Sequence, residues 1–201
     1  MSPKIIDKDK KREEIFRSAM KVFAQKGIHD FKMIDIAETA GVGKGTLYEY
    51  FSSKEQLVEG CFGILLEDFD AHMKSRLSDI VDPAEKMKQY ISTSFDFFRL
   101  EKDRLDILFD LYASGIPHSG GRPLFEGLTE SYRRVKEYLA SIVKEGVRQG
   151  VFRPVDANLV SAMLAALLDG ILFHAAMGVT SIESEALPKK LTDIFLGGIV
   201  K

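Results

Sequence analysis

Apolar residues recur along this chain at the three- and four-residue spacing that marks one face of an α-helix. In the first such segment the apolar positions are Ile15, Phe16, Ala19, Met20, Val22 and Phe23. Gly27 follows them and is expected to end the helix. Runs of alternating polar and β-branched residues are few, and the chain holds only six prolines. The pattern therefore predicts an all-α protein.

The same periodicity predicts about nine helices. After the first come two short helices, over 33–40 and 44–51, and a long fourth helix that ends near Leu77. Ser52, three residues before Glu55, is expected to cap this long helix, and Asp82 followed by Pro83 to open the next, which ends near Arg99. The remaining helices are expected over about 103–114, from the end of the loop 115–123 to Gly150, over about 156–177 and over about 187–200.

One predicted helix is apolar almost throughout. From Leu159 to Val179 it is about twenty residues long, which is enough to cross a bilayer. Asp169 lies at its centre, and an acid there costs about 2.5–3.5 kcal/mol on insertion scales. A helix buried on both sides, inside its own domain and against a second subunit, explains the pattern without this cost. Asp169 is then expected either to pair across the dimer interface or to lie near a bound ligand.

Charge divides the chain into two parts. Residues 1–54 carry 11 Lys and Arg against 8 Asp and Glu, whereas residues 55–201 carry 17 against 22. A basic first part and an acidic remainder indicate two different tasks. The single cysteine, Cys61, is expected to be a buried structural residue. With no disulfide possible within the chain and no basic leader followed by an apolar run, a cytoplasmic location is expected.

The segment from Ala40 to Lys54 differs from the rest, because it holds three glycines, two lysines and three aromatic residues. Ala37, Gly41 and Leu47 fall where a helix-turn-helix needs a small residue facing the partner helix, a residue tolerant of positive φ, and an apolar anchor. The second helix would then be free to enter a major groove.

The exposed side of that second helix suits DNA. Lys44 and Thr46 lie in its first turn, where free N–H groups and the helix dipole favour a phosphate. Tyr48 and Tyr50 carry hydroxyls that hydrogen-bond phosphate oxygens, and Lys54 adds charge. Taken singly, each residue also fits a plainer interpretation, with loop glycines, packed tyrosines and solvated lysines.

The whole run from Ile36 to Leu57, IAETAGVGKGTLYEYFSSKEQL, resembles the DNA-binding signature of the TetR family nearly position by position. The first helix, which ends in FAQKG, is also similar, so the resemblance covers about residues 10–58. It implies a transcription regulator, usually a repressor, that binds a palindromic operator as a dimer and is released by a small molecule. It implies a three-helix DNA-binding domain over 1–54 and a larger helical ligand-binding and dimerisation domain over 55–201.

Carried over residue by residue, the resemblance implies that these residues bind DNA: Lys32, Gly43, Lys44, Gly45, Thr46, Tyr48, Tyr50 and Lys54. Three positions depart from the family pattern. Gly43 stands where Ser is frequent, Lys32 where Thr or Ser commonly caps the second helix, and Glu49 where His is frequent. Phosphate repels Glu49 unless the carboxylate accepts a hydrogen bond from cytosine N4. These departures concern the operator sequence rather than the fold.

The second domain holds ten of the fourteen phenylalanines. A helical domain rich in aromatic residues and methionine either encloses an apolar cavity or fills its core with the same side chains. The candidate ligand-binding residues are Phe95, Phe98, Phe109, Tyr112, His118, Phe125, Phe173, His174 and Met177. The expected effector is a small, largely apolar molecule. The helices over about 156–177 and 187–200 are the expected homodimer surface, where two helices from each subunit form a four-helix bundle.

Other classes of protein fit the sequence less well. No nucleophile, base and orienter combination and no phosphate-binding glycine loop indicates an enzyme. No two histidines share metal-ligand spacing, so neither a metal nor a cofactor is expected. The alternative is a helical adaptor that binds protein, not DNA, through residues 30–54, and it would show no salt-dependent affinity for DNA.

Overall fold

A computed structural model of the chain describes residues 8–101, residue 107 and residues 126–201, apart from the side chains of residues 62 and 126–128. These residues form eight helices: α1 (Lys8–Asp30), α2 (Met33–Thr39), α3 (Lys44–Tyr50), α4 (Lys54–Leu77), α5 (Pro83–Leu100), α6 (Glu126–Arg148), α7 (Ala157–Ala176) and α8 (Ala186–Gly197). The predicted all-α class is confirmed. The helix expected over 103–114 and the loop over 115–123 lie, apart from residue 107, outside the described residues.

Two helices begin at the aspartates that the sequence marks. Asp82 Oδ1 accepts a hydrogen bond of 2.7 Å from the Glu85 amide, and Pro83 occupies the first turn of α5. Asp156 Oδ1 accepts a hydrogen bond of 2.9 Å from the Asn158 amide at the start of α7. Each carboxylate satisfies an N–H group that has no partner within its helix, so both helix starts are determined locally.

The start of α4 differs from the prediction by one residue. Ser53 Oγ accepts a hydrogen bond of 3.1 Å from the Gln56 amide, and Gln56 Oε1 accepts one of 2.7 Å from the Ser52 amide. The prediction that Ser52 caps this helix together with Glu55 was therefore wrong. Because two serines precede two residues able to complete a capping box, the sequence signal does not select between the two registers.

Gly27, which the sequence predicts to end the first helix, instead interrupts it. Gly27 has φ 74° and ψ 161°, which lies outside the helical region, although α1 resumes and ends three residues later at Asp30. Glycine adopts this positive φ without the steric cost that a Cβ atom would bring.

Residues 8–66 and residue 107 belong to one compact unit. Its buried core draws on α1 to α4 and includes Ile15, Phe16, Ala19, Phe23, Ile36, Leu47, Phe51, Leu57 and Cys61. The rings of Phe16 and Phe51 lie 4.9 Å apart. A Cβ atom at Gly60 would lie only 2.3 Å from Cζ of Phe16, so the close approach of α1 and α4 requires glycine there.

Residues 67–101 and 126–201 form the second unit. Its core includes Met87, Ile91 and Phe95 of α5, Leu139 and Val143 of α6, and Leu164 and Leu168 of α7. The Arg153 amide donates a hydrogen bond of 2.9 Å to the Ile199 carbonyl, which fastens the end of the chain to the α6–α7 connection. Helix α4 contributes residues to both units, and the domain boundary expected between residues 54 and 55 stays a prediction.

Candidate functional sites

Helices α2 and α3 are joined by a tight turn that depends on Gly41. This glycine has φ +63°, and the next amide, that of Val42, donates a hydrogen bond of 2.9 Å to the Ala37 carbonyl. Ile36, Ala37 and Leu47 are buried and hold the two helices together. The small residue, turn glycine and apolar anchor expected from the sequence therefore occupy the positions that a helix-turn-helix requires.

The outward face of α3 carries the predicted DNA-binding residues. Lys44, Gly45, Thr46 and Tyr48 are exposed, as is Gly43 just before the helix. Tyr48 is 43% exposed, although it is a large aromatic residue, and Lys44 Nζ lies 5.9 Å from the centre of its ring. Glu49 is exposed as well, whereas Tyr50 is half-buried. The helix thus presents a cation, a phenol hydroxyl and a carboxylate to solvent.

The start of α2 needs no serine or threonine hydroxyl. The Asp35 carboxylate accepts a hydrogen bond of 2.8 Å from the Lys32 amide and lies 2.8 Å from the Lys26 ammonium. Hydrogen bonds from the Lys26 side chain and the Lys32 amide lower the pKa of Asp35, so the carboxylate stays ionised at neutral pH. Because Asp35 satisfies the backbone, the exposed Lys32 side chain is available to a phosphate.

Lys54 has a contact inside the first unit that the sequence does not indicate. Its ammonium donates a hydrogen bond of 2.6 Å to the His29 carbonyl and lies 4.3 Å from the centre of the Phe31 ring. An ammonium has three N–H donors, so this bond leaves donors for a phosphate. The predicted DNA contact of Lys54 stays a prediction.

The described candidates for ligand binding fall into two groups. Phe95 is fully buried in the core of the second unit, and the ring of Phe98 lies 6.5 Å from it. Phe173 and Met177 are 49% and 61% exposed near the end of α7, and His174 is exposed beside them. Phe95 is thus a core residue, whereas Phe173, His174 and Met177 lie at the surface of the described part of the chain. Phe109, Tyr112, His118 and Phe125 lie outside the described residues.

His72 of α4 has a buried polar atom that lacks a partner. Its Nε2 makes no hydrogen bond, and no other buried side-chain nitrogen or oxygen in the described part of the chain is left in that state. The His72 ring lies 5.8 Å from that of Phe97, which in turn lies 5.2 Å from the ring of Phe69. A buried polar atom without a partner is costly, so a hydrogen bond from a bound molecule would be favourable here.

Comparison with known protein families identifies the family to which this chain belongs. Residues 15–61 match the model of bacterial regulatory proteins of the tetR family. Residues 83–196, more than half of the chain, match the model of the BetI-type transcriptional repressor C-terminal region. This chain belongs to the TetR family.

TetR-family relatives resemble it over most of its length. The chain is 30% identical over 155 residues to the HTH-type transcriptional repressor KstR2 of Mycolicibacterium smegmatis, which covers 75% of this chain and 72% of the relative. It is similar in fold to a transcriptional regulator from Saccharomonospora viridis in complex with choline, with a TM-score of 0.82, 21% identity and coverage of 96% and 99% of the two chains. FadR from Bacillus subtilis in complex with stearoyl-CoA gives a TM-score of 0.78, 22% identity and coverage of 93% and 98%.

Membership of the TetR family makes this chain a DNA-binding transcriptional regulator and not an enzyme. Helices α2 and α3 lie inside the residues that match the tetR family model.

The sequence alone did not indicate two contacts in the first unit. They are the Lys26–Asp35 ion pair and the position of Arg12, whose guanidinium carbon lies 5.3 Å from the centre of the Phe51 ring. Neither has a local signal, because in each pair the second residue lies beyond the end of the helix that carries the first.

Helix α7 of this TetR-family regulator is long and apolar enough to cross a membrane by length and composition alone. Five of its 20 residues are buried within this chain: Val160, Ser161, Leu164, Leu168 and Leu172. Its inward face includes Leu164 and Leu168, whereas an exposed face carries Leu159, Met163, Leu167, Phe173 and Met177. The sequence predicts that this helix is buried both inside its own domain and against a second subunit, and the first of these two contacts is present within this chain.

Cys61 is buried as predicted, and burial raises the pKa of its thiol, so little reactive thiolate forms.

Proposed function

We propose that this TetR-family regulator is a cytoplasmic repressor that binds a palindromic operator as a homodimer and releases it when a small, largely apolar ligand binds. The observation that carries the proposal is the exposed face of α3. Lys44, Gly45, Thr46 and Tyr48 all lie in solvent on a helix that Leu47 anchors to the unit. Such a face, on the second helix of a helix-turn-helix, fits a major groove.

Most of the DNA affinity is expected from phosphate contacts. Lys32, Lys44 and Lys54 supply the charge, and Tyr48 and Tyr50 supply hydroxyls. Lys44 and Glu49 are the side chains of α3 expected to read base edges, the first towards guanine and the second towards cytosine N4. The glycines at 43 and 45 let the backbone approach the DNA closely. Sequence selectivity therefore comes from few side chains together with the shape of the operator.

The exposed apolar face of α7 supports a homodimer. On α8, Ile194 is 80% exposed as well. A patch of this kind normally marks an interaction surface, and two helices from each of two subunits would bury it in a four-helix bundle. The small residues Ala166 and Gly170 on α7 allow close approach of the facing helix. A two-fold dimer in turn matches a palindromic operator.

His72 supports ligand binding by the second unit. Its unpartnered Nε2 would donate to or accept from a bound molecule, with the rings of Phe69 and Phe97 beside it. Choline and stearoyl-CoA, found with the two similar structures, differ too much in chemistry to indicate the effector here. Because Lys54 and His72 lie on the same continuous helix, a ligand that shifts α4 would disturb the contact of Lys54 with His29.

Selection of bound fragments from a random DNA pool tests this proposal directly. At physiological salt, the enriched sequence is expected to be a short palindrome, and Lys44→Ala should abolish the enrichment. Lys21→Ala, which removes an exposed lysine of α1, is the matched control and should retain it. Enrichment of a single unrepeated half-site would contradict the dimer. No enrichment and no salt-dependent DNA affinity from folded protein would instead favour the protein-binding adaptor.

A further inference from the structure

Arg12 lies in the second turn of α1, beside two aromatic rings. Its guanidinium carbon lies 5.7 Å from the centre of the Phe16 ring and 5.3 Å from that of the Phe51 ring. Both phenylalanines are buried, whereas Arg12 is exposed. A guanidinium within about 6 Å of an aromatic ring is attracted to the ring face. The two rings therefore hold this cation in place at the surface of the first unit.

Within the described part of the chain, Arg12 has no carboxylate partner, although two glutamates follow it directly in the sequence. Glu13 forms an ion pair of 2.5 Å with Arg17, and Glu14 forms one of 2.9 Å with Lys11. Each glutamate is thus compensated by another cation of α1. The planar guanidinium of Arg12, with its five N–H donors, is left to bind an anion from outside the chain.

The contact with Phe51 places Arg12 beside one end of α3. Phe51 directly follows this helix, and its amide donates a hydrogen bond of 3.0 Å to the Leu47 carbonyl. Lys44 begins the same helix, and its seven residues span about 10 Å. Cations therefore lie near both ends of α3, Lys44 at the first and Arg12 at the second.

This arrangement suits a helix that lies in a major groove. The N-terminal residues of a recognition helix contact base edges, so its C-terminal end lies closer to the border of the groove. The groove is about 12 Å wide, and phosphates run along both of its borders. A cation beside the C-terminal end of α3 would therefore meet a phosphate. The sequence predicts no DNA contact on α1, since the residues that it indicates begin at Lys32.

We propose that Arg12 binds a backbone phosphate at the border of the major groove that α3 enters. A planar guanidinium can donate two parallel N–H groups to phosphate oxygens, and the rings of Phe16 and Phe51 keep it oriented for this. Such a contact positions α3 on the duplex and reads no base. It rests on the DNA binding of the proposed function and is independent of the dimer and of the effector.

Arg12→Met tests the contact, because methionine keeps an apolar stem beside the two rings and lacks the charge. Fluorescence anisotropy over a range of salt concentrations is measured with the duplex that selection recovers and with a duplex of random sequence. With both, affinity should fall at least about tenfold, and the slope of log affinity against log salt should fall by about 0.9 for each subunit. Arg12→Lys should keep the slope. Arg17→Met removes a paired arginine of the same helix and should keep both slope and affinity.

Uncharged methylphosphonates, placed one at a time in the selected duplex, locate the phosphate. Replacement of the phosphate that Arg12 contacts should weaken binding by the wild-type protein and leave binding by Arg12→Met nearly unchanged. Replacement of any other contacted phosphate should weaken both proteins equally. The difference is the interaction energy of a double-mutant cycle, so it separates a direct contact from a general loss of affinity.

Two results would overturn the contact: an unchanged salt slope in Arg12→Met, or the absence of any phosphate whose replacement distinguishes this variant from wild type. Equal losses of DNA affinity in Arg12→Met and Arg12→Lys, with lower stability of both in urea titrations, would also overturn it and assign Arg12 to packing alone. Because Arg12 is exposed, both variants are expected to keep native helix content. Wild-type protein without salt-dependent affinity for either duplex would contradict the proposed function as well.

Discussion

The Lys54 ammonium donates a hydrogen bond of 2.6 Å to the backbone carbonyl oxygen of His29. The acceptor lies in the last turn of α1, and the donor is the first residue of α4. The bond therefore joins the two helices that precede and follow the helix-turn-helix. Lys54, which the sequence predicts to bind DNA, therefore also joins α1 to α4 within the first unit.

Replacement of Lys54 by methionine tests this structural contribution. The variant keeps most of the aliphatic length but loses the hydrogen bond and the contact of the ammonium with the Phe31 ring. The free energy of unfolding should fall by about 1–2 kcal/mol in urea titrations. Lys21→Met, at an exposed position of α1, should change it by less than about 0.5 kcal/mol. Equal stability of the two variants would show that the Lys54–His29 bond contributes nothing.

Two glycines of the helix-turn-helix should respond to alanine in opposite ways. Gly41 has φ +63°, so Gly41→Ala should lower stability by about 1 kcal/mol or more. Gly45 lies within α3, and a Cβ there would meet nothing within 4 Å, so Gly45→Ala should raise stability by up to about 1 kcal/mol. The added methyl group faces the proposed DNA surface, and operator affinity should nevertheless fall. Thermal melts and fluorescence anisotropy with operator DNA measure the two effects; unchanged operator affinity in Gly45→Ala would place the DNA elsewhere.

The Lys44 contact can be identified from salt dependence. If Lys44 meets a phosphate, Lys44→Ala should reduce the slope of log affinity against log salt by about 1 for each subunit. If it reads a base instead, affinity for the operator should fall while the slope and the affinity for unrelated DNA stay nearly unchanged. Lys21→Ala is the control for the loss of a lysine charge. A Lys44→Ala variant that binds the operator normally at every salt concentration would exclude both roles.

A charge placed on the exposed face of α7 should prevent dimerisation. Ala166 is exposed on this helix, and Ala166→Glu would bury a carboxylate in the proposed four-helix bundle. Size-exclusion chromatography over a range of protein concentrations should then show monomers with native helix content. Ala71→Glu makes the same change at an exposed position of α4 and should leave the dimer unaffected. A dimeric Ala166→Glu protein would contradict the assignment of the interface.

The half-buried position of Asp169 predicts a pH-dependent stability. Burial raises its folded-state pKa above the ordinary value of 3.8, so the folded protein binds this proton more tightly than the unfolded chain. Its contribution to stability is therefore full below about pH 4 and is lost as the pH rises through the folded-state pKa. Asp169→Asn does not titrate, so the stability of this variant relative to wild type should increase from pH 4 towards neutrality. Urea titrations at several pH values measure this, and a constant difference, as expected for exposed Asp68→Asn, would contradict it.

Several features of the fold follow from residues that are close in the sequence. Asp82 and Asp156 cap helices whose first amides lie two or three residues away, and Gly41 supplies a turn that Ala37 and Leu47 complete within ten residues. Such signals depend on short-range sterics and hydrogen bonding, so the sequence reveals them. The register error at Ser52 shows their limit, because two adjacent serines offer the same local hydrogen bond.

By itself, the sequence determined the class of fold, the place of the helix-turn-helix and the resemblance that family comparison confirmed. Only the tertiary structure decided which way side chains face where a helix is apolar all round. Along α7, periodicity cannot separate the covered face from the exposed one, so Phe173 and Met177 proved to be outward while Asp169 turns towards Tyr132. The partners of Lys54 and Asp169 lie on other helices, 25 and 37 residues away in the chain. Only the packing of the helices against one another brings such groups together.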